Sequence, residues 1–224
     1  MNGAPDLRYH RIMLVATLRP FAIAVLAALV LAAPAVAAAE DRSPPDDRGS
    51  GRFLTGQLLV AAPAMPDPRF ARTVIYMVRH DADGAMGLIV NRGFGEGPLA
   101  ALLDGFGVRH GGVEGTVRLF YGGPVDPGRG FVLHTADYVG ASTRIVQSGV
   151  AFSSGRDVLE AVAAGSGPRR SLFLLGYAGW GPGQLEGELA RDDWLTATAE
   201  EALVFGTDPD GAWERALRLS GMPL

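Results

Sequence analysis

The residues best placed to do chemistry are histidines and arginines at the ends of apolar runs. His80 and His134 each close such a run, where a side chain reaches the rim of a sheet. An imidazole there can carry a proton or bind a metal near neutral pH. It can equally tie down a neighbouring turn. Neither has a carboxylate or second histidine at ligand spacing beside it, so no metal site is expected. Asn91-Arg92 follows another apolar run, just before Gly93. The guanidinium fork suits a carboxylate or phosphate, whereas a structural role would tie Asn91 to a turn and Arg92 to an acid. Arg72 is expected close to Arg92, with Asp67 as the acid that serves them. Gly176 to Glu188 is the richest segment. Tyr177 and Trp180 flank glycines that permit close backbone approach. Pro182 is expected to open a helix whose first amides could face an anion. On that helix Gln184 and Glu188 share one face and Leu185 and Leu189 another, with Glu186 at the border of the apolar side. His80, Asn91, Arg92, His134, Trp180, Gln184 and Glu186 are therefore the candidate ligand pocket.

Several chemistries are absent from the sequence. There is no cysteine, which removes thiolate nucleophiles, zinc–thiolate sites and iron–sulfur clusters. All 20 basic residues are arginine, so no lysine Schiff base can form. No nucleophile-elbow, phosphate-loop or His-Glu-x-x-His pattern occurs. Gly93 to Gly97 lacks dinucleotide-binding spacing and reads as a loop. No catalytic residue, cofactor or metal is assigned.

The elements that must position these side chains can be read from periodicity. Strands are expected at 57–62, 73–78, 86–90, 117–121, 130–134, 144–147, 150–152 and 171–177. The second and third should pair as a hairpin across Asp81-Ala82-Asp83-Gly84. Helices are expected at 98–104, from a Ser154 cap to 163, at 182–190 and at 211–220. Strands cluster instead of alternating strictly with helices, so one mixed α+β domain over 53–224 is expected, not a doubly wound parallel sheet.

Residues 1–39 read differently. Arg8, His10, Arg11 and Arg19 precede the apolar run Phe21–Ala33, and small residues follow up to Ala39. That order is a secretory signal peptide, with export to the periplasm as the expectation. The other reading is an uncleaved anchor, the chain's one expected contact with a membrane. Residues 40–52, rich in Pro, Gly and charge, read as a flexible lead-in. Residues 1–39 hold three arginines and one aspartate, so without them 17 basic and 23 acidic side chains remain, a net of −6. That balance argues against nucleic acid as a partner. An unknown small molecule or protein is expected instead.

Three ordered blocks carry a family resemblance. The first runs from Gly56-Gln57-Leu58-Leu59-Val60-Ala61 through Thr73-Val74-Ile75-Tyr76 and His80 to Asn91-Arg92. The second is Gly122-Gly123-Pro124-Val125 with Gly130 to His134. The third is Leu175-Gly176-Tyr177-Ala178-Gly179-Trp180 with Gly183 to Leu189 and Trp194. Together they resemble the YqgE/AlgH family of small bacterial proteins. The resemblance implies a compact α+β fold with a curled, partly barrel-like mixed sheet and a few flanking helices. It supplies no catalytic residue or cofactor. Some members carry the label of transcriptional regulator, and members are usually cytoplasmic, the alternative compartment here. The leading expectation is a non-enzymatic ligand-binding or regulatory domain. Its rivals are a hydrolase-type enzyme using His and Glu for acid–base work, and a transcriptional regulator.

Overall fold

A single strand, Ser171–Trp180, organises the sheet by pairing with three others. The structure is a computed structural model that describes residues 53–147 and 149–221. The expected signal segment and lead-in lie outside the described residues. In chain order the elements are β1 (Gln57–Ala61), β2 (Val74–Asp81), β3 (Gly84–Ile89), β4 (Gly93–Pro98), α1 (Leu99–Gly105), β5 (Thr116–Tyr121), β6 (Val125–Thr135), β7 (Thr143–Gln147), β8 (Val150–Ser153), α2 (Asp157–Ala163), β9 (Ser171–Trp180), α3 (Gln184–Leu189), β10 (Trp194–Thr198), α4 (Glu201–Val204) and α5 (Ala212–Leu219).

The sheet order is β10-β1-β2-β3-β9-β6-β8-β7, with β4 and β5 branching beside β9. One edge of β9 is shared. Its Phe173–Leu175 half pairs with β5 in parallel, and its Ala178–Trp180 half pairs with β3 antiparallel. The other pairings are antiparallel. The expected β2–β3 hairpin forms in register from Ile75↔Ile89 to Asp81↔Gly84, with a bulge between Met77 and Arg79. Asp81 closes its turn by accepting from the Asp83 amide at 2.9 Å.

The sheet curls into a half-barrel. Flat, β1 and β7 would stand six strand spacings apart, about 29 Å. Instead the chain just before β1 meets β7: a Cβ placed on Gly56 would fall within 3.0 Å of the Gln147 side chain. The inner face carries Leu58, Val60, Tyr76, Leu88, Leu133 and Leu174. Over β10, β1 and β2, α4 and α5 cover this face with Leu203, Trp213 and Leu217. Trp213 Nε1 donates to the Ala61 carbonyl at 2.8 Å. Outside, α3 seats Leu185 against Leu59, Ile75 and Ile89, while α1 and α2 pack Leu103, Val158 and Leu159 against Val132 and Phe173. The mixed α+β domain with its curled sheet is thus observed.

Several local expectations need correction. Gly93–Gly97, read as a loop, belongs to strand β4, which also takes Pro98, so helix α1 starts at Leu99. The strand is exposed on both faces and glycine-rich, so it shows no apolar period. Strand β10 and helix α4 also went unread: both are short, and two residues separate them. Ser154 does not cap α2, which starts at Asp157 behind Arg156 without a side-chain cap. The Asp157 carboxylate instead accepts from the Ser142 amide at 3.0 Å and from the Ser142 hydroxyl. Helix α3 starts at Gln184, not Pro182.

Tyr76 gives a first expected result. Its hydroxyl is buried in the half-barrel with no hydrogen-bond partner among the described residues, and burial pushes its pKa far above the usual phenol value. Tyr76→Phe removes an unsatisfied group while keeping the ring. It should stabilise the domain by about 1 kcal/mol, read as a melting temperature raised by about 2–4 °C. A lowered melting temperature would mean that the hydroxyl has a partner after all.

Candidate functional site

His80 meets Glu186 across the outer face, 106 positions away in sequence. His80 Nε2 lies 3.2 Å from Glu186 Oε1. Its Nδ1 accepts from the Leu54 amide at 3.0 Å, so the ring hydrogen sits on Nε2 and points at the carboxylate. Thr55 Oγ1 accepts from the His80 amide at 2.8 Å, and the Phe53 ring stands edge-on to the imidazole at 5.2 Å. This is the His–carboxylate reach that acid–base chemistry requires. However, the imidazole is only 1% exposed, against 38% for Glu186. The pair pins residues 53–55 and α3 onto β2.

Trp180 and Gln184 converge on a residue outside the candidate set. Glu188 Oε2 accepts from Trp180 Nε1 and Trp194 Nε1, both at 2.8 Å, and its Oε1 accepts from Gln184 Nε2 at 2.9 Å. Gln184 Oε1 takes the Gly181 amide at 3.1 Å, so the side chain closes the turn that leads into α3. A neighbouring cleft of about 290 Å³ is lined by Asp67, Arg69, Trp180, Glu188, Arg191 and Asp193 among others. Its charges are already paired, Arg69 with Asp67 at 2.6 Å and Arg191 with Asp193 at 2.8 Å.

Asn91 and Arg92 lie elsewhere and hold backbone. Asn91 Oδ1 accepts from the Val74 amide at 2.8 Å and its Nδ2 donates to the Arg72 carbonyl at 2.9 Å. Arg92 donates to the Arg69 and Ala71 carbonyls at 2.6 and 2.8 Å. Both tie residues 69–74 to the end of β3. Asp67 serves Arg69, whereas Arg72 pairs with Glu214 and stacks 4.4 Å over Trp213. The expectation that Asp67 answers Arg72 and Arg92 is corrected accordingly.

His134 is sealed at 0% exposure in the β6–β8 region. Nδ1 contacts the Thr135 carbonyl at 2.9 Å, so it carries the hydrogen and Nε2 accepts from Ser153 Oγ at 2.9 Å. Ser153 in turn accepts from Thr143 Oγ1 at 2.8 Å. A Ser–His pair exists here, but both members are buried. Burial lowers the His134 pKa, overcoming the opposing pull of the Thr135 carbonyl. The unfolded chain therefore takes up this proton first as pH falls. His134 leaves stability intact above about pH 6.5 and erodes it from there down to its lowered folded pKa, at up to about 1.4 kcal/mol per pH unit. His134→Gln should flatten the stability profile just below about pH 6.5, by up to one proton, measured by urea unfolding at stepped pH. An unchanged slope would contradict it.

The seven candidate residues thus occupy four places. The structure joins His80 with Glu186 and Trp180 with Gln184, pairs Asn91 and Arg92 on a loop, and isolates His134. The roomiest cavity described is elsewhere, on the inner face that α4 and α5 leave open. It measures about 690 Å³ and spans β2, β3, β9, β6, β8 and β7. Val78, Met86, Phe131, Val146, Phe152 and Tyr177 give it apolar and aromatic walls, and Trp180 borders it. Its charged lining is Arg79, Arg129 and Arg144, with no carboxylate. Arg79 pairs with Asp81 at 3.0 Å. Arg129 lies 5.2 Å over the Phe131 ring, and neither it nor Arg144 has a carboxylate partner among the described residues. Sequence reading missed this groove, Trp180 apart. Its walls come from six strands, and each wall residue alone looks like ordinary core.

The family profile described as AlgH-like matches residues 58–224. The chain belongs to this AlgH-like family. A UPF0301 protein of Methylococcus capsulatus is 54% identical over 181 residues, covering 81% of this chain and 99% of its own. Another, from Afipia carboxidovorans, is 45% identical over 77% of this chain and 86% of its own. The solution structure of the AlgH protein from Pseudomonas aeruginosa superposes with a TM-score of 0.64 at 39% identity, covering 82% of this chain and 94% of that one. A protein of Corynebacterium diphtheriae at 22% identity, TM-score 0.59, shares the fold. The AlgH-like glycines of the second and third blocks meet in space. Gly123 lies so close to the Tyr177–Ala178 peptide that a Cβ would collide with backbone, and Gly176 faces the Gly123 carbonyl likewise.

Proposed function

We propose that this AlgH-like protein is a non-catalytic binding domain whose ligand occupies the inner-face groove. One observation carries the reading: a cavity of about 690 Å³ with four aromatic rings and three arginines and no carboxylate in its lining, on a chain whose net charge is −4. Its size falls in the roughly 300–1,000 Å³ range of small-molecule sites. A hydrolase reading would need a His–carboxylate or Ser–His pair facing such a cleft, and both imidazoles are instead enclosed.

A small-molecule thermal-shift screen tests the proposal, since a binder of the native state raises apparent stability by about 2.7 kcal/mol at one hundred times its dissociation constant. Hits should stabilise the parent but not Val146→Trp, which fills the groove. Chemical-shift mapping on the parent should place them at Phe152 and Tyr177. Hits that stabilise both proteins equally, or that map to the Glu188 cleft, would overturn the reading.

The basic, apolar and small segments of residues 1–39 support export. N-terminal sequencing of the protein from fractionated cells should find the chain starting after about residue 39 in the exported fraction. An intact leader in the cytosol would overturn export and leave the groove untouched.

A further inference from the structure

We infer that the groove takes a small amphipathic anion: an apolar body with a single carboxylate or phosphate head. The inference rests on the groove being the binding site and adds the class of ligand. The register places the parts. Arg144 of β7 stands opposite Phe152 of β8, which stands opposite Leu133 of β6. Arg129 and Phe131 alternate along β6 onto the same face as Leu133. Two guanidinium groups therefore border the aromatic floor formed by Phe131 and Phe152.

Other groove-lining arginines are engaged: Arg118 pairs with Glu96, and Arg156 donates to the Gly107 carbonyl. Arg69, Arg79 and Arg191 each hold a carboxylate within 3.0 Å. Arg129 lies over a ring, an arrangement that fixes a planar guanidinium while leaving its N–H edge open. The Arg144 guanidinium makes no hydrogen bond or ion pair among the described residues, and Ile145 beside it is 62% exposed. A carboxylate or phosphate would complete both guanidiniums with charge-assisted hydrogen bonds. Its tail would cover Met86, Val146 and Tyr177, which are only partly buried against the core. A cation would meet repulsion from the two unpaired arginines, and a neutral amphiphile would leave the forks unanswered.

The test is titration of the purified protein with octanoate, octyl phosphate, 1-octanol, octylammonium and inorganic phosphate, all below micelle-forming concentrations, followed by amide shifts. The two amphipathic anions should bind at least about tenfold tighter than octanol, a difference of about 1.4 kcal/mol. Octylammonium and inorganic phosphate should be weaker still. A preference between the two anions identifies the head group and supports the inference either way. Arg129→Gln and Arg144→Gln should each weaken the anions about tenfold and leave octanol unchanged. If octanol matches the anions while shifts stay in the groove, the anionic class falls and the groove survives. If shifts fall outside the groove, or no amphiphile saturates, both fall. Inorganic phosphate binding as tightly as octyl phosphate would reduce the site to an anion patch and overturn the amphiphile.

Discussion

Gly123→Ala should abolish cooperative folding. The added Cβ would sit well inside 3.0 Å of the Tyr177 carbonyl carbon and oxygen and of the Ala178 nitrogen. Those are backbone atoms of β9, which is held by β6 on one side and by β5 and β3 on the other. No side-chain rotation can relieve the collision. Gly123 also has φ +151°, a conformation alanine adopts only with strain. The combined cost should exceed about 4–5 kcal/mol, most of what a typical domain possesses. Gly181→Ala is the control, because nothing lies within 4 Å of its Cβ, and it should change stability by no more than about 0.5 kcal/mol. Urea unfolding decides the matter. A Gly123→Ala protein within 1 kcal/mol of the parent would refute the tight crossing of the glycine turn over β9.

Glu188→Ala should cost about 2–4 kcal/mol, the second-largest effect expected. The carboxylate accepts from two indoles and one amide, and Trp180 and Trp194 are both buried. Truncation leaves two indole N–H groups unpaired, each worth about 1–3 kcal/mol. The rings, edge to face at 6.1 Å, would also lose what fixes their angle. Glu188→Gln should cost less, since its amide oxygen can still accept. Near-UV circular dichroism should lose tryptophan signal in the alanine variant and keep it in the glutamine variant. Equal loss in both would show that the charge, not the acceptor, holds the rings.

Much of the fold was legible because one-residue patterns carry it. β2 is apolar over both faces as a central strand must be, and the Asp81–Gly84 turn fixed the hairpin. What escaped lacked a pattern. β4 is solvent-facing and built around glycines, and β10 is a five-residue edge strand too short to show a period. For the site, residue types were legible but their partners were not. Glu186 reaches His80 only because α3 follows β9, whose pairing with β3 sets the helix beside β2. Arg92 reads like an anion ligand until its fork is seen closed on two carbonyls. The residues with unanswered charge, Arg129 and Arg144, sit in runs without a motif, and only the β6–β8–β7 pairing brings them to one floor.

The central claim, that the inner-face groove is where this AlgH-like protein binds, is tested most directly by intermolecular nuclear Overhauser effects between octyl phosphate and the labelled protein. Contacts from the alkyl chain to Met86, Phe152 and Tyr177 are expected. Contacts to Met65, Trp194 and the Glu188 cleft instead, or none at saturating ligand, would contradict it.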